Sequence, residues 1–196
     1  MKRSPVDMIE RRKPWHADLP NADWILERAL NELGFTDASK VTGLSPMKVV
    51  SMLEKKCHEI YLESEARVRQ NFSMGLYGGH SREEFETSLA NTRKARAGFA
   101  LERIFELMLK WFNIPHERPA GLGEAEFDFV VPDNRTLKEN PVKAVLISLK
   151  REVRERWKLA VGDAYILREI YNFPDNLWFV SLMNPPVEAV RIFPRL

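Results

Sequence analysis

Apolar positions along the chain follow a helical period through the first half, then break into short alternating runs around one further helical stretch. From Asp23 to about Gln70, Trp24, Leu26, Ala29, Leu30 and Leu33 recur at helical spacing. Ser45-Pro46 then supplies a cap and a first-turn proline ahead of Val49, Val50, Leu53, Cys57 and Ile60. Gly75, Gly78 and Gly79 mark a loop, and Thr92–Phe112 reads as a long amphipathic helix with Leu101, Phe105, Met108, Leu109 and Phe112 on one face, closed by Pro115 and Pro119. Strand character follows at Glu124–Val131, Val142–Lys150, Asn176–Met183 and Val187–Phe193, with turn-rich pieces such as Pro132-Asp133-Asn134 between them. A helix over Val153–Tyr171, striped by Val153, Trp157, Ala160, Ala164 and Leu167, separates the second strand from the third. The order predicts an α/β fold, a mixed β-sheet core flanked by helices, with an N-terminal helical region. Pro5, Pro14 and Pro20 make residues 1–20 an irregular arm. The chain therefore divides into an arm and helical subdomain, 1–90, and an α/β core, 91–196.

Composition narrows the class without naming it. A chain of 196 residues, 44% apolar, can bury one substantial core. The single cysteine, Cys57, excludes an internal disulfide and a cysteine-rich zinc site, and His16, His58, His80 and His116 are too scattered for a histidine metal cluster. No stretch reaches the roughly 20 apolar residues of a membrane span, and Met1-Lys2-Arg3-Ser4-Pro5 leads into no apolar signal core, so no membrane role and a cytoplasmic location are expected. A net charge of +2 is too small to mark a nucleic-acid binder. The cations are nevertheless gathered, with Arg93, Lys94, Arg96, Arg103, Lys110 and Arg118 in one run and Lys150, Arg151, Arg154, Arg156 and Lys158 in another. Either run by itself is compatible with a solvated helical face.

Two of the expected strands carry the candidate chemistry. In Glu124-Ala125-Glu126-Phe127-Asp128-Phe129-Val130 acidic and apolar residues alternate, which puts Glu124, Glu126 and Asp128 on one face. In Ala144-Val145-Leu146-Ile147-Ser148-Leu149-Lys150 the same period brings Ser148 and Lys150 together at the strand end. Carboxylates can hold Mg²⁺, and a neighbouring cation stabilises charge growing on a phosphate during phosphodiester hydrolysis. Singly, each of these residues is compatible with a solvated surface position; their order and spacing are the signal.

That order resembles the PD-(D/E)xK nucleases, and within them the EcoRII-type restriction enzymes and their CCGG-cutting relatives. In those enzymes the carboxylate two before the lysine, here Ser148, is replaced by one on the following helix. The matching position, thirteen after Lys150, is Asp163, where the family carries Glu. Leu149-Lys150-Arg151-Glu152-Val153-Arg154-Glu155-Arg156-Trp157-Lys158 is similar to the family's lysine-to-tryptophan segment, and Arg93, Arg96, Gly98, Leu101 and Glu102 resemble its R..R.G..LE pattern. The resemblance implies a restriction-endonuclease-like fold and a Mg²⁺-dependent enzyme that cuts double-stranded DNA as a homodimer and leaves 5′-phosphates. A cognate DNA methyltransferase is expected in the same system. It implies Asp128 and Asp163 as metal ligands and catalytic groups with Lys150, and Arg96 as a DNA contact. Glu102 is a further ligand or supporting base, or else an ion-pair partner of Arg103 or Lys110. Arg154, Glu155 and Arg156 match a cluster that reads adjacent G·C pairs, which implies a recognition site with CC and GG in symmetric halves, either abutting as CCGG or interrupted by about one base.

Two other readings remain open at this level. Phe35–Lys56 has spacings loosely like a helix-turn-helix, with Ser45–Lys56 as the recognition helix of a non-enzymatic regulator. A nuclease of the same fold acting in repair or modification-dependent restriction is the other.

Overall fold

The computed structural model describes residues 13–118, 120–122, 125–150, 157–174 and 176–181. Two compact units divide the chain, Met1–Arg103 and Ile104–Leu196.

The first unit is helical. Helix α1 (Ala22–Leu33) starts where the Asn21 side chain accepts from Trp24 N at 2.8 Å and stops at Gly34, whose φ of 70° is the left-handed conformation a C-terminal glycine tolerates. Helix α2 (Pro46–Ser73) begins with Ser45 as cap and Pro46 in the first turn, as its sequence predicts, and buries Val49, Leu53, Cys57 and Ile60. The segment Ser45–Lys56 is thus the first part of a 28-residue helix. Helix α3 (Arg82–Trp111) begins ten residues before the expected Thr92. Its early turns carry only Phe85 and Leu89 as large apolar residues, too few for a period to show, yet both are buried. Ser81 and Glu84 form the serine-x-x-glutamate start signal, and Ser81 Oγ accepts from Glu84 N at 3.1 Å. The described part of the expected irregular arm, residues 13–20, is packed onto the helices. A 3-10 turn, Pro14–His16, inserts Trp15, fully buried, edge-on against Phe85 and His80, and its indole N–H donates to Ser88 Oγ at 3.1 Å.

One ion-pair group ties α2 to α3. Glu65 is buried, accepts from Arg69 Nη2 at 2.9 Å and from Arg93 Nε at 2.9 Å, and takes a second Arg93 donor, Nη2. Burial by itself would raise the Glu65 carboxyl; the hydrogen bonds from Arg93 and Arg69 outweigh it and hold the group below its ordinary value of 4.5. A depressed folded-state pKa contributes stability above the unfolded value and loses it as pH falls through the folded one. Glu65→Ala should therefore cost about 3 kcal/mol at neutral pH, toward the low end for a broken buried pair because both arginines reach solvent. Calorimetric Tm should also fall less steeply below pH 4.5 in Glu65→Gln than in the parent; parallel curves would show that this carboxylate does not drive acid unfolding.

The second unit holds the strands. β1 (Ala120–Leu122) pairs antiparallel with β2 (Ala125–Phe127), and β3 (Phe129–Val131) starts two residues later in a different sheet. The single strand expected over Glu124–Val131 is thus broken at Asp128, because its two halves hydrogen-bond to different neighbours; Glu124 lies outside the described residues. Pro132-Asp133-Asn134, read as a turn, opens a short helix, α4 (Asn134–Glu139), capped by the Asp133 carboxylate accepting from Thr136 N at 2.6 Å. β4 (Val145–Lys150) begins later than expected because Pro141–Lys143 forms a 3-10 turn. Helix α5 (Trp157–Tyr171) and β5 (Leu177–Ser181) complete the described part, and the expected strand Val187–Phe193 lies outside it. The sheet order is β3-β4-β5, antiparallel then parallel, so it is mixed, with α5 as the crossover that a parallel pair requires. On one face Val130 and Leu146 cluster with Leu167 of α5 and with Phe173. On the other Phe129 packs against Phe105 of α3, ring centroids 5.5 Å apart. Among the described residues no helix is long and apolar enough to cross a membrane.

Candidate active site

The break at Asp128 makes the site. Its backbone N–H donates to Ile147 O at 3.0 Å, although Ile147 is already the partner of Phe129, so the β3–β4 register is not extended; its side chain turns onto the neighbouring strand and accepts from Leu149 N at 2.6 Å. The carboxylate is thereby fixed against the end of β4. Lys150, the last residue of that strand, brings Nζ to 3.7 Å from Asp128 Oδ2. Both side chains are partly open to solvent, so the pair adds little stability and leaves the carboxylate and ammonium available to a ligand.

The other expected site residues are distributed differently. Ser148 is two residues after Leu146 on β4, and this parity places it on the α5 side of the sheet. Asp163 is exposed on α5, one turn before the buried Leu167. Glu126 is exposed on β2. Glu102 and Arg96 are half-buried on α3 in the first unit, where Arg103 pairs with Asp23 at 2.8 Å; in the second unit Lys110 pairs with Glu106 at 2.7 Å. Arg154, Glu155 and Arg156 lie outside the described residues. Of the arginines in the R..R.G..LE stretch, Arg93 is committed to Glu65, an internal role that its surface-like sequence context conceals.

Supporting groups that the sequence did not announce surround Phe129, the neighbour of Asp128. The Arg118 guanidinium lies over its ring, 5.4 Å from the centroid, His116 meets it edge-on at 5.9 Å, and Glu106 reaches Arg118 at 3.4 Å. Nothing in the sequence pattern joins residues 106, 118 and 129, since the contact is made only once α3 and β3 have packed.

The donor set suits a hard cation. Among the described residues no three acidic, histidine or cysteine side chains converge closely enough to hold a metal. Mg²⁺, however, is commonly bound through one or two carboxylates completed by water and substrate phosphate, and a partly open aspartate beside a lysine meets that requirement.

A mixed sheet between helices, carrying an aspartate at a strand break and a lysine at the end of the next strand, defines a PD-(D/E)xK-type nuclease of the restriction-endonuclease-like fold. The sequence profile of the family described as EcoRII C terminal matches residues 60–174. A solved structure of restriction endonuclease PspGI with substrate DNA is similar at 33% identity and a TM-score of 0.79, covering 92% of this chain and 75% of that one. Two structures of metal-depleted Ecl18kI with uncleaved DNA, modified in one of them, share the fold at 18% and 17% identity, with TM-scores of 0.63 and 0.65; each covers 97% of this chain and 78% of the other. No curated protein sequence matches. The chain belongs to the EcoRII C-terminal family and is a sequence-specific restriction endonuclease.

Proposed function

We propose that the enzyme cuts double-stranded DNA, as a homodimer with Mg²⁺, at sites containing CC and GG in symmetric halves. The observation that carries the chemistry is the Asp128–Lys150 pair at 3.7 Å at the end of β4. Asp128 and Asp163 would hold Mg²⁺, which when bound supplies Lewis-acid charge to the scissile phosphate and makes water more acidic. Lys150 orients the attacking water and stabilises the charge that builds on the phosphate oxygens. The phosphorus–O3′ bond breaks, leaving a 5′-phosphate and a 3′-hydroxyl. Support for Asp163 comes from the crossover geometry. A helix between two parallel strands runs back against them, and Leu167 packs with Leu146, so the turn before Leu167 lies toward the Lys150 end of β4. The family resemblance includes this permuted carboxylate.

Recognition is assigned to Arg154, Glu155 and Arg156, with Arg96 as a further DNA contact. Arginine can donate two hydrogen bonds to guanine O6 and N7, and glutamate accepts from cytosine N4. Two-fold pairing of protomers on a palindrome accounts for cutting both strands with one site per chain. A methyltransferase protecting the same sites belongs to such a system. The test is incubation of the protein with unmethylated plasmid and Mg²⁺, followed by sequencing of the ends. Ends confined to CC/GG-containing sites are expected, and ends elsewhere overturn the specificity. Arg154→Ala or Arg156→Ala should lose about 1–3 kcal/mol of discrimination between cognate and non-cognate DNA.

A further inference from the structure

Phe127 and Phe129 flank Asp128, and in an unbroken strand residues two apart would share a face. They do not. Phe127 joins Val130, Leu146 and Leu167 in the cluster on the α5 side, whereas Phe129, fully buried, packs against Phe105 of α3 on the other. The chain turns between the two rings, and Asp128 is the residue that takes the turn. How its carboxylate is aimed therefore depends on how firmly each ring is held. Phe129 carries a polar clamp besides its apolar contacts. The Arg118 guanidinium lies over the ring, 5.4 Å from its centroid, and donates from Nη1 to Glu106 of α3 at 3.4 Å. Two backbone bonds bring this segment alongside β3: Glu117 N donates to Val130 O at 3.0 Å, and Val130 N donates to Glu117 O at 3.1 Å.

We infer that Arg118 is a positioning residue for Asp128, acting through the Phe129 ring. Its own charge does not face the reaction. Phe129 pairs with Ile147, and alternation along β4 puts Lys150 on the opposite face of the sheet from Ile147, so Arg118 and Lys150 stand on different sides. What Arg118 supplies is a fixed place for Phe129. The Asp128 carboxylate is aimed by its 2.6 Å bond from Leu149 N and by the backbone between the two rings, and a ring that can shift lets that backbone tilt. Displacing a catalytic group by about 1 Å can cost on the order of a hundredfold in rate. Stability depends on the clamp far less, because Arg118 reaches solvent and a part-exposed cation over a ring is a weak contact. The inference rests on the Asp128–Lys150 reading of the site.

Two substitutions test it. Arg118→Met keeps an extended side chain without the charge, and Arg118→Lys keeps a cation. In Arg118→Met the cleavage rate at saturating DNA should fall on the order of tenfold, and the half-saturating Mg²⁺ concentration should rise. DNA binding in Ca²⁺ should stay at the parental level and Tm within about 3 °C. Arg118→Lys should recover most of the rate. A readout free of metal and DNA follows the same contact: hydrogen exchange of the Leu149 amide, measured by NMR, should quicken in Arg118→Met and return toward the parent in Arg118→Lys. Parental rate and Mg²⁺ dependence in Arg118→Met overturn the inference. A rate loss matched by weaker DNA binding overturns it as well, since Arg118 would then act on DNA, and so does one matched by a large fall in Tm, which would make it a support of the fold. Asp128→Asn in the same assay keeps the two readings apart. If that variant still cuts, the site itself is misplaced; if it is inactive while Arg118→Met behaves as the parent, only the positioning role falls.

Discussion

Asp128→Asn should abolish Mg²⁺-dependent cleavage while leaving the fold and Ca²⁺-supported DNA binding largely intact. The amide oxygen can still accept from Leu149 N, the 2.6 Å bond that fixes this side chain at the strand break, so the architecture survives. What is lost is the negative charge that the metal and Lys150 require. Alanine would be a poorer test, because it also leaves the Leu149 N–H without its partner. Lys150→Ala should be equally inactive, its charge lying 3.7 Å from Asp128 and at the end of β4. Removing a group that stabilises developing charge costs at least about a hundredfold in rate. Plasmid cleavage measured beside a gel-shift titration in Ca²⁺ separates chemistry from binding; a Lys150→Ala enzyme that cuts at the parental rate would place the catalytic centre elsewhere.

Asp163→Asn should be as damaging as Asp128→Asn, and Asp163→Glu, which restores the residue the family carries at this position, should keep much of the activity. The argument is positional. Asp163 shares a stripe of α5 with Leu167, which packs onto Leu146 of the catalytic strand, and it stands exposed rather than engaged in the core. Ser148→Ala should be mild, since the strand position that holds a carboxylate in most PD-(D/E)xK enzymes is here a small neutral residue. The same cleavage assay decides. Full activity in Asp163→Asn together with a fatal loss in Glu126→Gln would move the second carboxylate to β2 and remove the permuted arrangement.

The proposed site was legible in part because its two central residues sit in locally patterned segments. Strand alternation and a terminal lysine single out Asp128 and Lys150, and the family resemblance proposes Asp163, thirteen positions further, as their partner. What the pattern could not reveal is that Asp128 ends one strand and precedes another. Alternation runs unbroken from Glu124 to Val130, whereas hydrogen-bonding changes partner between Phe127 and Phe129. Arg93 and Arg96 were likewise indistinguishable as neighbouring cations on one helix, and only the approach of α2 commits Arg93 to Glu65.

By itself, then, the sequence determined the order of the main helices and strands, the cap at Ser45, and the acid–lysine motif, because periodicity, capping and motif spacing are properties of a few consecutive residues. Tertiary structure decided which partner each strand half takes, that Trp15 is buried under α3, and that Asp128 turns its carboxylate onto Leu149 N rather than continuing a ladder. Those outcomes depend on groups far apart in the chain competing for the same hydrogen bonds and the same buried space, and only packing resolves that competition.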